Sequence, residues 1–298
     1  EEIQKESVFR KYIDQWIGNN EVEFSRTAVY SFHAAAAERW SNGNIFLLGD
    51  AAHQMPPFMG QGMNSGCRDA ENLLWKINGV LKGLYKPKIL HTYETERKPH
   101  VARITRAAIK LGGVINAKSK FRALVRNATL RIQGYFKGKE NIFPIMNGNR
   151  LGQGVHNMPK IKDVSLERYY FNEISVRLND GRVQSTDKIL GKNFGMILND
   201  FEGNKKISDK YLEFLNKHNF KIINISNNYE QSNYDNYIAC EDTHSDMQIY
   251  CDKYDCNAVI LRPDKYVFDI FNFETDNLDE IVSSAIKNLQ ETAVFTPN

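Results

Sequence analysis

Apolar positions along the chain recur at helical spacing in some stretches and strand spacing in others, and the changes mark out the elements. Ile3, Val8, Phe9, Tyr12, Ile13, Trp16 and Ile17 fall at helical spacing, and Gly18-Asn19-Asn20 supplies a stop. Residues 21–37 read as strand, with Val22, Phe24, Val29, Tyr30 and Phe32 as apolar positions and the alanines from Ala34 to Ala37 blurring its end. Ser41-Asn42-Gly43-Asn44 is turn sequence. The wholly apolar run at 45–48 predicts a short strand buried on both faces. Helical spacing resumes over 62–82 through Leu73, Leu74, Ile77, Val80 and Leu81, with Gly83 placed to cap it. It returns over 88–117, where Pro99 predicts a kink or a new helix start.

Periodicity is lost over 124–165, where Gly134, Gly138, Gly148, Gly152, Gly154, Pro144 and Pro159 suggest a connector. From about 166 the texture changes. Asp180-Gly181 between strand-like flanks at 176–184 predicts a hairpin. Strand is expected at 194–199 and 221–226, helix at 208–218 and 245–254, two strands around Pro263-Asp264 within 257–271, and a closing helix over 276–291. A parallel pair, then an antiparallel pair, with helices covering the sheet, is the thioredoxin-like order.

Composition narrows the class. The 298 residues are 42% hydrophobic and 25% charged, as in soluble globular proteins. The net charge of +3 gives no case for nucleic acid, and no apolar run approaches the roughly 18 residues of a membrane span. The charged, amphipathic opening is not a signal peptide, and no initiator Met precedes it, as expected of a piece of something longer. Cys67, Cys240, Cys251 and Cys256 form no C-x-x-C. They are expected to be buried or idle thiols in a reducing cytoplasm, without a metal.

The chemistry concentrates in "GDAAHQMPPFMGQGMNSGCRDAENLLWKI", from Gly49 to Ile77. Asp50 follows a strand end, where ligands collect in open α/β sheets, and its carboxylate can accept from hydroxyls of a ribose or ribityl chain. Pro56-Pro57 stiffens the turn. Gly60 and Gly62 permit unusual backbone and close approach of a flat ring. The helix beginning near Met63 and Asn64 turns free N–H groups and a positive dipole end toward the crevice. A phosphate or the anionic edge of a reduced flavin suits such a site. G-Q-G-M-N-S-G misses the dinucleotide fingerprint: its third glycine is Gly66, the strand ends well before Gly60, and no acidic residue follows at the required distance.

That stretch, with "YETERKPH" at 93–100 and "VYSFHAAAAERW" at 29–40, resembles the FAD-dependent aromatic hydroxylases, single-component flavoproteins that include phenol and 3-(3-hydroxyphenyl)propionate hydroxylases. The resemblance is strongest over 29–118 and implies an α/β fold. On this reading residues 1–123 are the C-terminal part of an incomplete Rossmann-type FAD-binding and substrate domain. Residues 124–165 connect it to a thioredoxin-like domain at 166–298. The resemblance implies that Asp50, after Gly49, binds the ribityl hydroxyls of FAD. Pro57 lies beside the flavin where a hydroperoxide forms, and the Met63 and Asn64 N–H groups meet the N1–C2=O edge, with Gly60 and Gly62 in the same loop. It further implies NAD(P)H as reductant, O2 and a phenolic substrate, and transfer of the outer peroxide oxygen to the ring.

The other two FAD signatures of that family, G-x-G-x-x-G and the middle Asp-Gly motif, are absent. The expectation is therefore an enzyme's C-terminal portion, inactive alone, whose partner is the missing N-terminal half. The C-terminal domain is expected to serve structure or homo-oligomer contacts. Alternatives are a non-catalytic assembly partner and a flavin oxidoreductase that does not hydroxylate aromatics. Tyr30, Phe32, His33 and Met55 are weaker substrate candidates, because strand aromatics and methionines also serve ordinary packing. His53 could touch the flavin or simply be satisfied within the loop. Arg68, Asp69 and Glu71 read as a solvated or ion-paired face, and Arg97, Lys98, Arg103 and Arg106 as a basic stretch on a solvated face, with contact to FAD phosphates or NAD(P)H as the alternative.

Overall fold

The apolar runs at 194–199, 221–226 and 257–261 become the middle of one sheet, because their residues are apolar on both sides of the pleat. The structure is a computed structural model that describes residues 5–17, 23–117, 119–137, 151, 154, 170–199, 207–226, 235–272 and 278–291. In chain order the elements are α1 (Glu6–Ile17), β1 (Ala35–Ala36), β2 (Ser41–Asn42), β3 (Ile45–Phe46), β4 (His53–Gln54), α2 (Gln61–Leu81), α3 (Thr92–Ile115) and α4 (Lys120–Lys137). There follow β5 (Ser175–Leu178), β6 (Val183–Ser185), α5 (Thr186–Leu190), β7 (Gly195–Asn199), α6 (Asp209–Lys217) and β8 (Lys221–Ile225). The chain continues with β9 (Tyr237–Asp242), α7 (Asp246–Tyr254), β10 (Ala258–Leu261), β11 (Val267–Phe271) and α8 (Leu278–Glu291).

The large sheet has seven strands in the order β11-β10-β7-β8-β9-β5-β6. β7, β8 and β9 are parallel and the outer pairings are antiparallel. Alternate residues feed two cores. Met196, Leu198, Ile222 and Ile260 face one with α6 and α8, and Ile197, Ile223, Val259 and Leu261 face the other, toward α7. The first core also takes in Trp75 and Tyr85 from the N-terminal part of the chain. Trp75 meets Phe194 edge-on at 5.4 Å and Tyr85 at 5.6 Å. Gly79 makes this possible, since a Cβ there would fall 1.8 Å from the Tyr85 ring.

The expected hairpin forms at Asp180-Gly181, with Gly181 at φ +83°. The expected parallel pair followed by an antiparallel pair is present as β7, β8, β10 and β11. In the C-terminal part of the chain two elements were not anticipated, β9 and α5. β9 is the parallel partner of β8, but its sequence closes on Glu241-Asp242 and lacks a full apolar run.

Three expectations in the N-terminal part are corrected. The strand expected over 21–37 reduces, within the described residues, to Ala35–Ala36, which pairs with β4; residues 23–34 have no ladder partner to make them regular. The run at 45–48 is not buried on both faces: Ile45 and Phe46 pair only with β2, and Ile45 is 69% exposed. The connector expected from 124 instead begins inside α4, whose Phe121, Leu124, Val125 and Ile132 follow helical spacing through a strongly basic segment. Residues 138–150, most of 151–169, and the Gly18-Asn19-Asn20 stop lie outside the described residues. α3 runs unbroken through Pro99.

Candidate functional site

The loop from Gly49 to Gly60 is built from two 3₁₀ turns, Gly49–Ala51 and Pro57–Met59, joined by β4. Gly49 and Gly60 hold φ of +55° and +60°, a region that strongly favours glycine. Gly60 in this left-handed conformation is the residue that opens α2. Gly66 lets α2 press against the first turn, because a Cβ there would lie 3.2 Å from the Gly49 Cα.

Beneath the loop lies a buried ion network. Asp69 on α2 accepts the Gly49 N–H at 3.1 Å, His53 Nε2 at 2.7 Å and Arg97 Nε at 2.8 Å. Arg97 also donates to the Ser65 carbonyl at 3.2 Å and contacts His100 Nδ1. Burial alone would raise the Asp69 carboxyl, but the His53 hydrogen bond and the Arg97 guanidinium outweigh it and hold the group below the usual carboxylate range. Trp40 stacks on His53 with centroids 5.2 Å apart. The Tyr93 hydroxyl donates to the Leu47 carbonyl at 2.7 Å, and Glu94 accepts the Trp40 and Ser41 N–H groups at 2.9 and 3.2 Å. The segment 93–100 is thus the scaffold of the loop.

A second buried network joins this scaffold to the large sheet. Arg262 and Asp264, at the β10–β11 turn, meet Glu96 of α3 and Asn72 of α2. Arg262 donates to both Glu96 oxygens at 2.9 Å, and Asn72 donates to Glu96 at 2.7 Å and Asp264 at 3.1 Å. Lys76 donates to Glu96 at 2.9 Å. Burial lowers the Lys76 pKa to about 8 against the pull of Glu96, while Arg262 and Lys76 outweigh burial and hold Glu96 well below its ordinary range.

The outer side of the loop is open. Asp50, Pro57, Gly60, Met63 and Asn64 are exposed, Gly49 and Gly62 half-buried, and no described residue hydrogen-bonds the Asp50 side chain. The Met63 and Asn64 N–H groups donate to no carbonyl outside their own helix, and nothing lies within 4 Å of where a Gly60 Cβ would be. These features fit a flat, partly anionic cofactor laid over the helix start: an exposed carboxylate, the first-turn N–H groups up to Met63 that precede the helix's own hydrogen bonds, and backbone without side-chain bulk. Met55 is half-buried among the loop's apolar residues and 3.9 Å from a Gly62 Cβ position. Tyr30 and Phe32 stack at 6.4 Å and are 63% and 61% exposed, with His33 also exposed. They lie outside the described loop contacts.

Arg97 corrects the reading of a solvated face, since it is fully buried, and Asp69, also fully buried, is ion-paired to it. Lys98, by contrast, keeps an exposed side and contacts Glu38 and Glu94. The missed signal was polar, since Ser65, Asp69, Asn72 and Lys76 recur at helical spacing where an apolar stripe would be expected.

Residues 4–108 match the family described as FAD binding domain, and residues 170–286 the HcaD C-terminal domain. A 3-(3-hydroxy-phenyl)propionate/3-hydroxycinnamic acid hydroxylase of Burkholderia cenocepacia is 28% identical over 253 residues, which is 83% of this chain and 47% of that protein. The protein of the same description in Escherichia coli is 26% identical over 279 residues, covering 90% of this chain and 50% of its own length. The chain therefore spans about half the length of the curated relatives it matches. Among solved structures, the flavin-dependent monooxygenase PieE in complex with FAD and substrate superposes with a TM-score of 0.63 at 18% identity, over 97% of this chain and 55% of its own. Aklavinone-11 hydroxylase with FAD and aklavinone gives 0.61 at 19% identity, over 88% of this chain and 46% of its own. The fold is thus one shared with flavin-dependent monooxygenases of known structure. Over these two matched parts the chain is similar to FAD-dependent aromatic hydroxylases.

Proposed function

We propose that the chain supplies the C-terminal half of an FAD-dependent, NAD(P)H-using monooxygenase that hydroxylates a phenolic compound with O2 in the cytoplasm. One observation carries the reading: Asp50 and the first turn of α2 are both exposed, while the turn that carries Asp50 is tied from Gly49 to the buried Asp69–Arg97 pair. Asp50 accepts hydrogen bonds from the ribityl hydroxyls. The Met63 and Asn64 N–H groups receive the N1–C2=O edge, where the helix dipole contributes about 0.3–1 kcal/mol if exposed and up to about 2 if partly buried. Pro57 lies beside the ring, and Gly49, Gly60 and Gly62 keep the backbone clear of it. FAD itself supplies the electron transfer from NAD(P)H and the activation of oxygen.

On this reading the missing N-terminal half covers the open face and brings the rest of the cofactor site, so the chain alone does not turn over. Tyr30, Phe32, His33 and Met55 then line the substrate side. The sheet of residues 170–291 is a thioredoxin-like unit without C-x-x-C that serves structure or contacts between copies. The test is co-expression with the N-terminal half of the Burkholderia relative, scoring retained FAD and NAD(P)H oxidation driven by 3-(3-hydroxyphenyl)propionate. Retained flavin that Asp50→Ala weakens tenfold or more supports the proposal. Flavin held equally well by Asp50→Ala, or none held in the pairing, overturns it.

A further inference from the structure

Two thiols meet where α7 ends. α7 stops with Asp255 in the left-handed conformation, φ 50° and ψ 54°, and the N–H groups of both Asp255 and Cys256 donate to the Cys251 carbonyl, the latter at 3.1 Å. The bond spanning five residues is the Schellman closure of a helix, which brings the side chains at its two ends together. Here those side chains are Cys251 and Cys256. Both are free and buried, and both line a cavity of about 470 Å³ with Asn199, Gln248, Asp252 and Asp255.

We propose that Cys251 and Cys256 form a reversible disulfide, a redox modification site in the C-terminal sheet unit that is separate from the flavin loop. The oxidant is a small uncharged peroxide. The Cys251 thiolate attacks one peroxide oxygen, the O–O bond breaks, the departing hydroxide takes up the proton that Cys251 released on ionising, and a sulfenic acid and one water result. The Cys256 sulfur then attacks the Cys251 sulfur, its proton leaves with the displaced hydroxyl as a second water, and the S–S bond forms. Two thiols are oxidised and one hydrogen peroxide is reduced to two waters. The roles follow the surroundings. A hydrogen bond from the Cys256 thiol lowers the Cys251 pKa, burial opposes it, and Asn199 adds to the lowering; the same contact, with burial, raises Cys256. The charged groups on the cavity wall are the carboxylates Asp252 and Asp255, which disfavour an anionic oxidant such as glutathione disulfide. The missing C-x-x-C does not bear on this pair, since a helix cap, rather than a helix start, sets its geometry.

The sequence supplies its own assay. Lys253 lies between the cysteines, so trypsin separates them and a disulfide appears as a linked peptide pair. The full chain is treated with hydrogen peroxide, alkylated and mapped, with exposed Cys67 as the reference thiol. The expected result is the linked pair, loss of two of the four alkylatable thiols, and recovery of both with dithiothreitol. In Cys256→Ser, Cys251 should instead be trapped by dimedone as a sulfenic acid. The proposal is overturned if Cys251 passes to sulfinic acid while Cys256 stays free, or if both remain alkylatable at a dose that oxidises Cys67. Flavin binding has no part in the readout.

Discussion

Glu96 and Arg97 are neighbours on α3 whose side chains serve opposite sides of the molecule. Glu96 accepts both Arg262 bonds from the β10–β11 turn, and Arg97 donates to Asp69 beneath the Gly49 loop. One peptide bond therefore separates the support of the candidate flavin face from the attachment of the large sheet.

Removing Arg262 leaves Glu96 and Asp264 buried with Lys76 as the remaining cation of the network. Breaking a buried pair from one side typically costs about 3–5 kcal/mol. Arg262→Met should lower the guanidinium midpoint by that equivalent. Adding Glu96→Gln should recover part of the loss, because it removes the uncompensated charge.

Asp69→Asn keeps the shape of the side chain and removes the charge that faces three donors. A buried donor left unsatisfied costs about 1–3 kcal/mol. The loss should be local: amide exchange at Gly49 and through residues 50–52 should accelerate well beyond that in β7 and β8. Uniform acceleration across the chain would show that Asp69 serves global stability instead.

Gly112→Ala tests how α3 seats the proline turn. The new Cβ would lie 2.2 Å from the Phe58 ring, within the Pro57–Met59 turn. Overpacking of about 1–3 kcal/mol should exceed the gain of about 1 kcal/mol in helix propensity. A lower melting temperature is expected, and an unchanged or higher one would show that Phe58 swings away freely.

Stability should vary with pH in three regions. Between pH 8 and 10.5 the unfolded chain keeps a Lys76 proton that the folded chain has lost, so Lys76 makes stability rise with pH there. Above pH 10.0 burial works against Tyr85 and Tyr93, which keep protons in the fold that they lose when unfolded, so stability falls. Glu96 and Asp69, held below 4.5 and 3.8, give stability that is present above those values and lost as acid protonates them. Guanidinium midpoints from pH 7 to 9 should show the rise, before the Cys240 thiol, raised from 9.0 by burial, and the Cys256 thiol, raised by its Cys251 hydrogen bond and by burial, begin to oppose it, and Lys76→Met should flatten it.

The sheet was legible where burial on both faces makes a strand largely apolar, as at 194–199 and 221–226. β9 was not, because its partner β8 defines it more than its own residues do. The loop's outer face could be read from Asp50, Pro57 and the glycines, since their chemistry is local. Its support could not. Asp69 and Arg97 look like surface charges in a single sequence, and only the crossing of α2 and α3 turns them inward. The apolar residues at 24–32 misled because strand propensity needs a neighbour, and among the described residues they have none.

The four charges joining the halves also carry an order of assembly. Lys76 and Glu96 stand 20 positions apart, and Arg262 and Asp264 only two. Each couple is electrically neutral by itself, whereas the Arg262–Glu96 bonds that unite them span 166 positions. A nascent chain leaving the ribosome can therefore settle each couple within its own neighbourhood. The late-arriving β10–β11 turn then docks as a neutral plug, and no naked charge waits inside the half-made protein.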